Sequence, residues 1–157
     1  MKNINNTLVI LLLAALSFSA YGQDKRTLET KVADVLTQMP AHDLSHRDRL
    51  MNDMINLGED GLFQFTDMIV APGTGDDTKV RFALGDLSKY VGRNGKEEAR
   101  IMVSNVFIKA LENKSDKEIK AFFFYHLNFF AKDEAVPVAV AYLNDERLNA
   151  PAVALLH

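Results

Sequence analysis

Apolar residues recur along this chain at steps of three and four, the spacing that collects them on one face of an α-helix. Leu28, Val32, Val35, Leu36 and Met39 form a first stripe, which Pro40 stops. Leu50, Met51, Met54, Ile55 and Leu57 form a second, with Gly58 just past it as a terminator. Leu62, Phe65 and Ile69 form a third, ended by Pro72 and Gly73. Val80, Ala83, Leu84, Leu87 and Val91 form a fourth, ended by Gly92. Met102, Val103, Val106, Phe107, Ala110 and Leu111 make a fifth; Ile119, Phe122, Phe123, Leu127 and Phe130 make a sixth. Positions 136–143 give a shorter seventh, and 151–156 begin an eighth. No stretch alternates at period two, so the pattern predicts an all-α fold with little or no sheet. The loops are mostly short, which favours antiparallel neighbours.

The first residues follow a different rule. Lys2 supplies a positive start, and 8–16 is an apolar run without charges. Ala20, Tyr21 and Gly22 then put small residues at both positions a signal peptidase reads. This predicts a signal peptide over 1–22, cleaved before Gln23, and a helical domain over 23–157. The apolar run is too short to span about 30 Å of hydrocarbon. No cysteine follows it, which excludes a lipoprotein. The expected destination is the periplasm or the exterior, with no membrane association after cleavage.

Composition narrows the chemistry. The 157 residues are enough for one domain and contain no cysteine, which removes disulfides, thiolate zinc sites and a cysteine nucleophile. A formal charge of −3, mixed in sign along the chain, does not make a nucleic-acid surface.

An internal repeat emerges when the loops are aligned. Asp77-Thr78-Lys79-Val80-Arg81 opens the fourth helix, and Asp116-Lys117-Glu118-Ile119-Lys120 opens the sixth. Both read as aspartate, two variable residues, a branched aliphatic and a base. Asp145-Glu146-Arg147-Leu148-Asn149 repeats the start but lacks the base, and Asp43-Leu44-Ser45-His46-Arg47 fits more loosely. An aspartate at a helix start accepts bonds from orphan backbone N–H groups, the aliphatic begins the buried stripe, and the base is placed to reach the aspartate of a neighbouring repeat.

On Asp77, Val80, Arg81 and Leu84, then Asp116, Ile119, Lys120 and Phe123, with Pro137 inside a first helix, the chain resembles the HEAT-repeat (armadillo-like) family. The spacings are uneven and the Asp145 copy departs from the pattern. The resemblance implies a short right-handed α-solenoid of about four antiparallel helix pairs, which must stack because one pair cannot bury its apolar face alone. On overall pattern, the chain also resembles the leading segment of secreted bacterial HEAT proteins that carry a 3-keto-disaccharide hydrolase domain downstream. A last helix of barely two turns, ending on Ala154, Leu155 and Leu156, leads us to expect that the domain is truncated at its C-terminal end.

Few residues invite a chemical role. His42, Asp43 and His46 have metal-like spacing, but Pro40 and Asp43 mark a surface loop and cap before the second helix. The histidines at 42, 46, 126 and 157 are scattered, and no Gly-x-Ser-x-Gly elbow is present. The glycine-rich loop 71–77 ends on Asp76 and Asp77, which repel phosphate, so it reads as a turn plus a helix cap. No catalytic, cofactor or metal residue is expected, and the chain is not expected to be an enzyme. The aromatic sixth helix stands out. Phe122, Phe123, His126 and Phe130 sit near the buried stripe, with His126 a packed histidine making one hydrogen bond. Phe124, Tyr125 and Phe129 diverge from the stripe, and form a candidate interaction surface rimmed by Lys117, Lys120 and Asn128. The expected function is an exported binding or scaffold module for a protein, or for a downstream domain of the same chain. The alternative is an accessory segment of a larger secreted carbohydrate-active hydrolase.

Overall fold

Each apolar stripe becomes a helix once its end groups are satisfied. The computed structural model describes residues 26–157. Its elements are α1 (Leu28–Thr37), α2 (Leu44–Asn56), α3 (Gly58–Asp67), α4 (Thr78–Val91), α5 (Glu97–Asn113), α6 (Lys117–Leu127), a 3-10 turn (Asp133–Ala135), α7 (Val136–Ala141) and α8 (Asn149–Leu155). No strand occurs among the described residues, and the fold is all-α. The signal peptide expected over 1–22 lies outside the described residues. Among the described residues no helix is long and apolar enough to cross a membrane.

The aspartates start helices, though not all in the same way. Asp43 accepts the His46 N–H at 2.8 Å. Asp116 accepts the Glu118 and Ile119 N–H groups at 2.9 and 3.0 Å. Asp145 accepts from Arg147 and Leu148 at 2.9 and 3.1 Å in the turn before α8. Asp77 departs from the expected cap. Asp76 takes the Thr78 N–H at 3.0 Å, while Asp77 turns back to accept the Val70 N–H at 3.0 Å. Arg81 completes this tie, donating from Nε to Asp77 at 2.7 Å and from Nη2 to the Val70 carbonyl at 3.1 Å. The long loop after α3 has to be fastened to the start of α4, and that requirement claims both side chains.

The signature bases therefore do not reach a neighbouring aspartate. Arg81 pairs within its own copy, and Lys120 donates to the Tyr142 hydroxyl at 2.6 Å. The link between copies comes from the variable positions instead: Lys117 meets Asp145 at 2.9 Å, and Arg147 meets Glu118 at 2.6 Å.

Packing follows chain order. α1 lies against α2 and α3, α2 against α3 and α4, α3 against α4 and α5, and α4 against α5 and α6. α5 packs on α6, α6 on α8, and α7 on α8. One continuous core runs through all of them, from Val32 to Ala152. Phe107 sits near its middle, meeting Phe123 and Phe130 edge-on at ring separations of 5.4 and 5.6 Å. Ile69 and Phe130 stay in the core although their helices end at Asp67 and Leu127, because the following turns fold back.

One buried charge fastens the 3-10 turn to α5. Arg100 is buried, donates to the Phe130 carbonyl at 3.2 Å, and pairs with Glu97 at 2.9 Å and with Glu134. Burial pushes the Glu134 carboxyl up, but its hydrogen bonds to Arg100 and to backbone N–H groups together outweigh it and hold the group at about 2. A buried charge left without its partner costs several kcal/mol, so these three side chains are fixed as a set.

Candidate functional site: the aromatic face of α4 and α6

The two helices that carry the repeat signature approach closely because α4 presents small residues to α6. A Cβ added at Gly92 would lie 2.8 Å from the Phe129 carbonyl oxygen, and one at Gly85 would lie 3.3 Å from the His126 ring. Gly92 does end α4, but with an ordinary helical φ of −69°. Glycine is required there for space. At the end of α2 the opposite holds, since Gly58 has φ +68° and nothing near it, so conformational freedom is what the turn into α3 demands.

His126 occupies the space above Gly85, and is a packed histidine with one hydrogen bond. Its Nδ1 lies 3.1 Å from Ser88 Oγ. That hydroxyl donates to the Leu84 carbonyl at 2.6 Å, so it accepts from His126 Nδ1–H. The tautomer leaves Nε2 as an acceptor with no partner among the described residues. Burial, helped by Lys89 and Arg81, pushes the ring down to about 4, so it is neutral at neutral pH. The Ser88 hydroxyl is fully buried and directed into its own helix, and among the described residues no carboxylate bonds to the ring. The pair is built for packing, without the geometry of a nucleophile and its base.

Above the ring a shallow groove of ≈ 340 Å³ is lined by Thr78, Arg81, Phe82, Phe122 and His126. Arg81 lies over the Phe122 ring at 4.8 Å, and Phe122 meets His126 at 4.4 Å. Tyr125 continues the band, edge-on to His126 at 5.1 Å and to Phe129 at 5.2 Å. Three of these aromatics reach solvent: Phe82 is 48% exposed, Tyr125 59% and Phe129 42%. Together they make a contiguous aromatic band across two helices.

The sequence-predicted surface divides in two. Tyr125 and Phe129 are brought together and exposed as expected. Phe124 is not on the surface: it is fully buried, edge-on to Tyr142 at 5.5 Å, because the segment leading into α8 covers that side of α6. Lys117 and Lys120 do not rim the band either. Both point to that same covered side, held by Asp145 and Tyr142. What the periodicity missed is Phe82, Gly85 and the second role of Arg81. The available signals were a large apolar residue off the α4 stripe and a glycine in mid-helix, where it costs about 1 kcal/mol against alanine.

The other candidates resolve into local structure. His42 stacks on His46 at 4.0 Å. His46 is buried, not on the surface as its place in a cap implied, because the His42 ring covers it and Gln38 reaches it from α1. Both its nitrogens are engaged: Nε2 is 3.2 Å from Gln38 Oε1, and Nδ1 accepts the His42 backbone N–H at 3.4 Å. Among the described residues no three His, Cys, Asp or Glu side chains converge as metal ligands. In the glycine-rich loop, Thr74 N–H donates to the Ala71 carbonyl at 3.1 Å and Gly73 has φ +81°, a turn followed by the Asp76 cap.

Comparisons with protein-family models, with curated proteins and with solved structures find no match to this chain.

Proposed function

We propose that this chain is an exported, non-enzymatic binding and scaffold module that docks a protein partner on the α4–α6 face. The observation that carries this reading is the contiguous aromatic band of Phe82, Phe122, Tyr125 and Phe129. Proteins that act alone rarely leave large apolar areas joined at the surface, and aromatics are enriched where partners bind. The architecture belongs to the same proposal. From α1 to α4 each helix packs on the next and the next but one, and this, with Asp116 and Asp145 opening successive copies, supports a short right-handed solenoid of HEAT-like pairs. Such a stack offers an extended surface.

A photo-reactive phenylalanine at position 125 or 129 tests the docking face in cells. Adducts of defined mass are expected from both positions and not from position 112, and they should be lost on Phe82→Ala. Equal labelling from all three positions, or none, would remove the reading. The exposed substitutions should leave stability within about 0.5 kcal/mol. Hydrolysis of sugars or esters by the purified chain above a heat-killed control would count against a non-enzymatic module.

A further inference from the structure

The turn that joins α4 to α5 holds a pair of residues with a chemistry of their own. Asn94 is the one asparagine of the sequence that precedes a glycine. Both residues are exposed, and the Asn94 carboxamide makes no hydrogen bond among the described residues. Gly95 has φ +79°, and a Cβ placed on it would meet nothing within 4 Å. Its N–H donates to no group among the described residues. The Gly95 nitrogen and Asn94 Cγ are one bond short of a five-membered ring, and neither is tied down.

The asparagines that precede aspartate are held differently. Asn144 is followed by Asp145, whose N–H donates to the Tyr142 carbonyl at 3.1 Å. Asn52 lies inside α2, where its Nδ2 donates to the Asp48 carbonyl at 3.0 Å and its Oδ1 accepts from the Tyr90 hydroxyl at 2.9 Å. A backbone N–H has to leave its acceptor before its nitrogen can attack, and a helix has to open locally before such a ring can close.

We propose that Asn94 is a site of spontaneous modification, deamidated through a succinimide that closes on Gly95. Solvent hydroxide takes the Gly95 amide proton, and the nitrogen adds to Asn94 Cγ. The N–Cγ bond forms, the Cγ–Nδ2 bond breaks, and ammonia leaves with a proton drawn from water. Water then opens the ring at either carbonyl. One opening gives aspartate; the other gives isoaspartate, in which the main chain runs through Cβ. The net change is one amide hydrolysed by one water, with no change of oxidation state and one negative charge gained. That charge arises on a hollow of ≈ 350 Å³ that Asn94 shares with Arg93, Asn128 and Lys132. The isoaspartate also lengthens a turn whose first residue, Gly92, is packed against the Phe129 carbonyl.

The full purified chain, held at 37 °C at pH 6 and at pH 8.5, tests this by mass spectrometry and peptide mapping. The peptide carrying Asn94 is expected to gain one mass unit, faster at the higher pH, and to take up methyl label from a protein isoaspartyl methyltransferase. The reaction should run at least about tenfold faster at Asn94 than at Asn144 or Asn52, because their bonds must open first. In urea those bonds are gone and the gap should narrow. Asn94→Gln, whose longer side chain would have to close a six-membered ring, should lose the label with circular dichroism unchanged. An Asn94 that stays unmodified in the folded chain overturns the proposal, whether or not it reacts in urea. Equal rates at Asn94 and Asn144 in the folded chain overturn it too, as do a gap that urea leaves unchanged and undiminished label in Asn94→Gln.

Discussion

At the scale of single residues, the contact between α4 and α6 is set by what is missing from their side chains. A methyl group at position 92 would press on the Phe129 carbonyl at 2.8 Å, and backbone cannot step aside as a side-chain tip can. Gly92→Ala should therefore destabilise the fold by about 1–3 kcal/mol in urea titrations, in the range of overpacked sites. An unchanged midpoint would show that the helices can part at no cost. His126 gives a second residue-scale prediction. Burial holds its folded pKa near 4, below the ordinary 6.5 of the unfolded chain. Above pH 6.5 the ring is neutral in both states and its contribution is complete. As pH falls from 6.5 towards 4 the unfolded chain takes the proton first, so stability declines, by a total of about 3 kcal/mol. His46 is shifted in the same direction by its own burial, so the quantity to measure is the difference between the parent chain and His126→Gln. That difference should shrink between pH 6.5 and 4; a constant gap would refute the assignment.

Whole elements respond to a different set of residues. The aspartates look alike in sequence but act differently on their helices. Asp116 caps α6 in the ordinary way, so Asp116→Ala should cost about 1 kcal/mol. Asp77 fastens the loop after α3 to α4 and keeps Arg81 paired. Asp77→Ala leaves both the Val70 N–H and the guanidinium without that acceptor, and should cost about 2–3 kcal/mol. Equal losses for the two, by denaturant midpoint, would mean that the tie adds nothing to a cap. The repeat of aspartate, aliphatic and base was legible because it is local: helix starts need acceptors and buried stripes need aliphatics. Which partner the base chose was not legible. Arg81 and Lys120 found Val70 and Tyr142, groups that the chain brings near only through the path of its loops.

For the molecule as a whole, the question is whether the stacked helices melt together. The core is one continuous cluster, and Phe107 joins α5 to Phe123 of α6 and to Phe130 beyond it. A chain of this size with a shared core should unfold in a single step. Far-UV circular dichroism and tyrosine fluorescence should give coincident transitions, because Tyr90 bonds to Asn52 of α2 while Tyr142 packs on Phe124 of α6. Separate midpoints would mean that the helix pairs behave as independent repeats, held by their neighbours rather than by one core.

The sequence by itself determined the helices, their approximate ends and most of the stripe residues that are buried, because periodicity and end groups act within a few positions of one another. It also located the exposed aromatic pair, Tyr125 on α6 and Phe129 in the turn just past it, since the helical angle places both off the stripe. The tertiary structure decided the rest. Phe124 went inside because the segment before α8 covers its side, and Lys117 and Lys120 followed it to partners there. Phe82 joined the aromatic band from another helix, over a groove that exists because Gly85 carries no side chain and His126 fills the gap. A helix knows from its own sequence which residues diverge from its core stripe; only its neighbours determine which of those they cover.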